Sequence, residues 1–378
     1  MTILGFLSTY PPTRCGLATF TESLAAAMAD GTRSEARIVR VLDAPETQVA
    51  SIIAPSIRVA ENLVGGDEAS IARTAKALNR CDVAIIQHEY GIYGGPDGDE
   101  ILDVMAALRA PSIVVLHTVL PSPTDSQREV LERVCDLASA VVVMTTAASD
   151  ILAAGYAVTP HKVSVIPHGV TAWTSTAKPR GHQVKRVLTW GLIGPGKGLE
   201  WGIRAMVELG KTVPSAKYTV VGQTHPKVLA YEGDVYRDRL NALIFELGLS
   251  GTVTLDAEYY DSPRLAAAVT SADVVLLPYD SRVQVTSGVL VEAIAAGIPV
   301  VATAFPHAVE LLSAGAGVVV PHEDPAAIAL ALHSILVEGG VAERMSAAAA
   351  VNADILSWPS VAAQYHVLAT RLLAAQAA

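Results

Sequence analysis

The sequence has little of several things that mark common functions. Aromatic residues make up 5% of it, and its three cysteines, Cys15, Cys81 and Cys135, are odd in number and far apart. Neither a disulfide framework nor a zinc site follows from that spacing, and reduced thiols fit it best. Charged residues are 17% of the chain, the net charge is −10, and no run of Lys or Arg occurs. The basic footprint of a nucleic-acid binder is therefore missing, and an anionic membrane surface is disfavoured for the same reason. No apolar run reaches the roughly 20 residues of a membrane helix; the stretch 139–146 is strand-sized. The N-terminus, Met1-Thr-Ile-Leu-Gly-Phe-Leu7, has no basic segment ahead of an apolar one and reads as a first strand, so a cytoplasmic location is expected. Gly-x-Ser-x-Gly is absent, and Gly-x-Gly-x-x-Gly does not follow the first strand. These absences disfavour an α/β-hydrolase elbow and a nicotinamide dehydrogenase.

What is present is apolar and regular. The chain has 378 residues, 51% of them hydrophobic, with much Ala and Val. That length fits two domains, and the composition suits helices packed on buried parallel strands. Strands are expected at 3–8, 37–42, 83–88, 112–117, 141–144 and 162–166, with helical patterns at 16–29, 99–108 and 126–138. A polar stretch without periodicity, Thr171–Gln183 with Pro179 and Gly181, reads as the linker. The alternation then restarts, with strands at 186–189, 217–221, 252–255, 273–278, 299–302 and 317–320. Helices are expected at 199–209, 235–248, 265–271, 288–296 and 326–337. Ser262-Pro263 and Asp324-Pro325 each offer a cap followed by proline at the first helical position. The expectation is an α/β chain of two doubly wound parallel-sheet domains: 1–170, with a final helix 357–378 returning to it, and 184–356. Polar and glycine clusters fall at the carboxyl ends of the strands, where open α/β sheets bind ligands. A cleft between the two domains would collect them.

Two clusters carry the chemistry. Gly191-Leu-Ile-Gly-Pro-Gly196-Lys197-Gly198 follows a strand and opens a helix. Glycines let backbone amides approach a ligand, and a lysine adds a point charge for phosphate. A nucleotide-triphosphatase loop is nearly matched, but Gly198 stands where that motif needs Ser or Thr. A plain glycine turn with a solvated lysine is the bland alternative. The second cluster is Gln284-Val-Thr286-Ser287-Gly288-Val-Leu-Val-Glu292. Thr286, Ser287 and Gly288 form a helix start whose amides and dipole suit a diphosphate. Glu292 lies one turn further on, placed to accept hydrogen bonds from ribose hydroxyls or simply to favour the helix dipole.

Together these clusters resemble the donor half of the retaining family 4 glycosyltransferases, which share a glycine-rich strand end with a lysine and a later Glu-x7-Glu element. The likeness extends to Ser8-Thr-Tyr-Pro-Pro-Thr-Arg14-Cys-Gly16, to Val165-Ile-Pro-His168-Gly169-Val, and to the helix after Trp358. It implies the GT-B fold and transfer of a hexose, as mannose from GDP-mannose or glucose from UDP-glucose, to a carbohydrate or other hydroxyl acceptor. It also implies retention of configuration, with the nucleotide sugar as co-substrate and no cofactor or metal required. By this resemblance the donor would meet Gly16, Gly191, Gly196, Lys197, Gly222, Thr286, Ser287, Gly288 and Glu292. His117, at a strand end, would contact the transferred sugar and act with Lys197 and Gln284 in catalysis. Arg14, His88, Glu89 and Tyr90 would face the acceptor, with a structural pairing of His88 and Glu89 the alternative. Two departures stand out: Leu192 replaces an arginine, and Gln284 replaces the first glutamate. Arg14 or Arg282 would then supply the missing cation. His168 replaces a common asparagine.

Overall fold

The computed structural model of the chain describes residues 1–31, 33–45, 51–171, 173 and 184–377. Most of the expected linker, including Pro179 and Gly181, lies outside them. The chain divides into two compact units, Met1–Gly169 with Trp358–Ala378, and Val170–Ser357.

The first unit is built on the strands β1 (Thr2–Ser8), β2 (Ser34–Leu42), β3 (Ser51–Ala54), β4 (Ile57–Val64), β5 (Val83–His88), β6 (Ser112–Leu116), β7 (Ala140–Val143) and β8 (Val163–Val165). They form one sheet in the order β3-β4-β2-β1-β5-β6-β7-β8. All pairings are parallel except β3 with β4. The sequence reading expected neither β3 nor β4. β3 is short and exposed, and β4 carries Arg58 and Glu61 among its apolar positions, so no clean apolar run marks either. The central strands β5, β6 and β7 are buried throughout, as expected of parallel strands covered on both faces.

One face of this sheet packs Phe6, Ile85 and Val115 against Phe20, Leu24 and Met28 of the helix Gly16–Met28 and against Val361 and Tyr365 of the helix Trp358–Ala377. Trp358 fixes that last helix. Its ring meets Phe20 edge-on at 5.2 Å, and a Cβ on Gly169 would lie 2.1 Å from it. Only glycine therefore fits after His168.

The second unit holds β9 (Lys185–Trp190), β10 (Ala216–Val221), β11 (Val253–Asp256), β12 (Val274–Leu277), β13 (Val300–Thr303) and β14 (Gly317–Val320). They form an all-parallel sheet in the order β11-β10-β9-β12-β13-β14. β9 shows why the strands read as continuous apolar runs. Val187 points into one core layer with Ile203, Met206 and Leu332, and Leu188 and Trp190 point into the other with Leu290, Ile294 and Phe305. Burying such side chains contributes about 1.5–3 kcal/mol each, as an upper bound. Asp324 caps the helix Pro325–Val337 through the Ala327 amide. The cap of the helix Ser262–Ser271 is Asp261, not Ser262, because its carboxylate reaches the Arg264 amide while Ser262 and Pro263 occupy the first helical positions.

Among the parallel strands of each sheet the chain order reverses at one place, between β1 and β5 in the first and between β9 and β12 in the second. Loops leaving adjacent strands diverge there, which opens a crevice at the carboxyl ends. Among the described residues no single helix is long and apolar enough to cross a membrane.

Candidate active site

The β9/β12 switch point gathers the two clusters that lie about a hundred residues apart in sequence. Backbone geometry makes the loop after β9. Gly196 has φ +85, with open space where a side chain would be. Gly198 has φ +57, and a Cβ there would lie 1.9 Å from the Pro278 carbonyl. No Ser or Thr fits at that position, so the magnesium-binding hydroxyl of a triphosphatase loop has no place. Gly222, at the end of β10, plays a comparable part: its Cβ would lie 1.9 Å from the Gly191 carbonyl. It backs the glycine loop and lets it lie flat. Lys197 follows Gly196, half-buried, with its Nζ 4.4 Å from the centre of the Tyr279 ring. No carboxylate pairs with it among the described residues. The aromatic face stabilises the ammonium by ~0.5–1 kcal/mol and leaves its donors for an anion.

The helix Gly288–Ala295 starts beside this loop, with the Val289 side chain against Gly191. Ser287 is its cap: Oγ accepts from the Leu290 amide at 3.3 Å. The Ser287 amide is itself bound, donating to Nδ1 of His307 at 2.8 Å. Ser287 thus serves the helix, and the amides of Gly288 and Val289 remain without a protein acceptor among the described residues. Unpaired amides at a helix start can receive an anion. The Thr286 hydroxyl is buried with no hydrogen-bond partner among the described residues. Gln284 turns its side chain into its own loop, donating from Nε2 to the Thr286 carbonyl at 3.0 Å.

Glu292 lies on the same helix face as the open start. Trp190, the last residue of β9, donates from Nε1 to Glu292 Oε2 at 3.0 Å. Burial pushes the Glu292 carboxyl up to about 7, against the Trp190 bond that pulls it down. Arg282 does not fill the gap left at Leu192, because it is held in an exposed pair with Glu323 at 2.9 Å.

In the first unit the β1/β5 switch point holds the other expected residues. Arg14 is exposed on the loop after β1, and exposed Gly16 opens a helix whose N-terminal residue Cys15 makes no side-chain capping bond, its Sγ lying 3.2 Å from Thr9 Oγ1 instead. His117 lies half-buried at the end of β6. Its Nε2 donates to Gln87 Oε1 at 2.7 Å, since that oxygen only accepts, and its ring meets Phe20 edge-on at 4.8 Å. Burial, then the charges of His168 and His88, push its pKa down to about 3. His168 donates to the Gly169 carbonyl and is pushed down to about 4 by burial. A neutral imidazole that never charges near pH 7 is a hydrogen-bonding group and no general acid.

The residues expected on the acceptor side differ in burial. His88 is fully buried, its ring edge-on to Tyr90 at 5.2 Å and its pKa pushed down to about 4. It packs beneath the surface, and neither ring nitrogen has a hydrogen-bond partner among the described residues. Glu89 and Thr118 join the ends of β5 and β6 through a 2.5 Å bond, and Tyr90 donates to the Gln127 carbonyl. Glu89 pairs with Thr118, not with His88.

Sequence reasoning missed Trp190, Tyr279, His307 and Gln87. Trp190 carried a weak signal, an aromatic with a polar tip directly before the glycine loop. The other three have meaning only through partners distant in sequence.

Residues 184–338 match the profile of the family described as glycosyl transferases group 1. No curated protein matches the chain. Among solved structures, Anabaena Alr3699/HepE in complex with UDP and glucose is similar at 17% identity and a TM-score of 0.76, over 98% of this chain and 100% of that one. A glycosyltransferase from Rickettsia africae is similar at 15% identity and 0.77, over 98% and 99%. The trehalose-6-phosphate synthase OtsA is similar at 17% identity and 0.73, over 98% and 99%. The chain has the GT-B fold, and the stretch similar to the group 1 glycosyl transferases lies within its second unit.

Proposed function

We propose that the chain transfers a hexosyl group, with retention, from a nucleoside diphosphate sugar to a hydroxyl acceptor. The observation that carries this reading is the convergence at the β9/β12 switch point of an unpaired lysine, two open helix-start amides and a desolvated carboxylate. Lys197 and the Gly288 and Val289 amides would receive the diphosphate, and Glu292 the ribose hydroxyls. Cleavage of the anomeric C–O bond builds negative charge on the leaving phosphate. Donors fixed before the reaction stabilise that charge most where it develops, which lowers the barrier.

Double displacement needs a carboxylate on the sugar's open face. Gln284 cannot be that nucleophile, and its amide is turned inward. We therefore favour a front-face route in which the leaving phosphate oxygen takes the acceptor's proton. His117, neutral across the working range, would bind a sugar hydroxyl through its ring without moving a proton.

The bound UDP, glucose and UDP-glucose of the Anabaena neighbour support a UDP-glucose donor over GDP-mannose. Arg14, Glu89 and Tyr90 would serve the acceptor side in the first unit, and the enzyme would work in the cytoplasm. One observation favours a second reading, a sugar-nucleotide-binding protein without turnover: the missing arginine and glutamate are replaced by Leu192 and an inward-turned Gln284. Incubation with a panel of nucleotide sugars, with and without glucosides and sugar phosphates as acceptors, separates the two. The transferase reading requires a new glycoside with the donor's anomeric configuration, and donor binding without any product contradicts it.

A further inference from the structure

One buried side chain holds the shape of the helix start that the donor reading relies on. His307 is 5% exposed and belongs to the helix Pro306–Leu312, which follows β13. Its Nδ1 accepts from the Ser287 amide at 2.8 Å, and its own amide donates to the Gln284 carbonyl at 3.4 Å. The two ends of the segment 284–287 are thus tied to one residue that lies twenty positions beyond Ser287. Within the segment, Gln284 Nε2 braces the Thr286 carbonyl.

Ser287 has extended backbone, φ −139 and ψ 106, immediately before helical Gly288. The chain therefore turns sharply there, and the direction of the next two amides depends on how the Ser287 peptide is held. An unpaired buried amide at this point costs about 1–3 kcal/mol, so without its acceptor the peptide rotates toward another. An acceptor bond also sets the imidazole tautomer, with the proton on Nε2.

We propose that His307 is a positioning residue. By fixing the Ser287 peptide it aims the Gly288 and Val289 amides at the phosphate of the donor. This rests on the donor reading above and adds a residue that touches no ligand. The segment is specified twice, by a side chain inside it and by an imidazole outside it, and only the imidazole occupies the Ser287 amide.

The test uses the full chain, with UDP or GDP, whichever the parent binds, and the matching nucleoside. Three variants are compared. His307→Asn places an oxygen near the Nδ1 position, His307→Phe removes the acceptor, and His307→Gln carries its oxygen past that position. We expect His307→Phe to weaken the diphosphate about tenfold, to leave nucleoside affinity unchanged, and to speed hydrogen exchange at the Ser287 amide. His307→Asn should recover most of the loss. If His307→Phe does not fold, His307→Gln takes its place in the comparison. Equal losses for nucleoside and diphosphate would show mere loosening of the fold and overturn the proposal, as would a diphosphate affinity unmoved in every variant. A parent that binds neither UDP nor GDP removes the donor reading itself, and the positioning role with it.

Discussion

The two switch points bury titratable groups at equivalent places and with opposite electrical results. At the ends of β5, β6 and β8 burial holds His88, His117 and His168 down to about 4, 3 and 4, so all three are neutral at pH 7. At the end of β9 burial pushes Glu292 up to about 7, so its charge is in balance at working pH. Desolvation disfavours the charged form in both cases. For an imidazole that means an uncharged hydrogen-bonding surface at no cost near neutrality. For a carboxylate it means a group under tension until a donor arrives that can share the charge. The first unit's histidines are neutral at pH 7, and under the proposed function the raised Glu292 would serve a ligand rich in hydroxyls.

The largest expected effect breaks this symmetry with acid. A histidine whose folded pKa lies below its unfolded one contributes stability that is present above about 6.5 and is lost as pH falls toward the folded value. By pH 5 each of the three should cost the first unit about 2 kcal/mol. Glu292 works the other way: its folded pKa is raised, so its stabilising share is present at acid pH and is lost as pH rises through about 7. Hydrogen exchange followed from pH 8 to pH 5 should show the first unit loosening while the helix Gly288–Ala295 does not. Uniform loosening of both units would mean the histidines are not buried as described.

Next in size is Lys197→Ala, which should cost about 3 kcal/mol in turnover at saturating donor with little change in melting temperature. Among the described residues the Lys197 ammonium rests on the Tyr279 ring, away from the core. A near-normal kcat would remove the phosphate role.

Glu292→Gln sharpens the comparison directly. It should weaken donor binding by about 1–3 kcal/mol, yet stabilise the unliganded protein above pH 7 by a similar amount, because a neutral amide can accept the Trp190 bond without a buried charge. The diagnostic pair is a rise in melting temperature at pH 8 that shrinks markedly by pH 5, beside a loss in donor affinity. The smallest expected effect is none at all: if amides and lysine neutralise the diphosphate, transfer should persist in excess chelator, and activity restored only by magnesium or manganese would replace this mechanism.

Much of the fold was legible because parallel strands covered on both faces write themselves as apolar runs. Val83–His88 and Gly317–Val320 were readable to the residue. The β3–β4 pair was not, because an exposed edge strand has no apolar face to announce it. At the site, glycines and a lysine were visible as types, but their reasons were not. Gly198 and Gly222 are glycines because carbonyls of Pro278 and Gly191 press against them. Glu292 was legible as a carboxylate one turn inside a helix, whereas the Trp190 indole that aims it is 102 positions away. Ser287 read as a phosphate ligand, while its amide is already taken by His307.

The central claim is that the β9/β12 end of the second unit holds the nucleoside diphosphate. Calorimetric titration of UDP and GDP into the parent, Lys197→Ala, Glu292→Gln and the double variant tests it most directly. Each single change should weaken the diphosphate at least about fivefold, and Glu292→Gln alone should also weaken the free nucleoside. Parent-like diphosphate affinity in both single variants would contradict it.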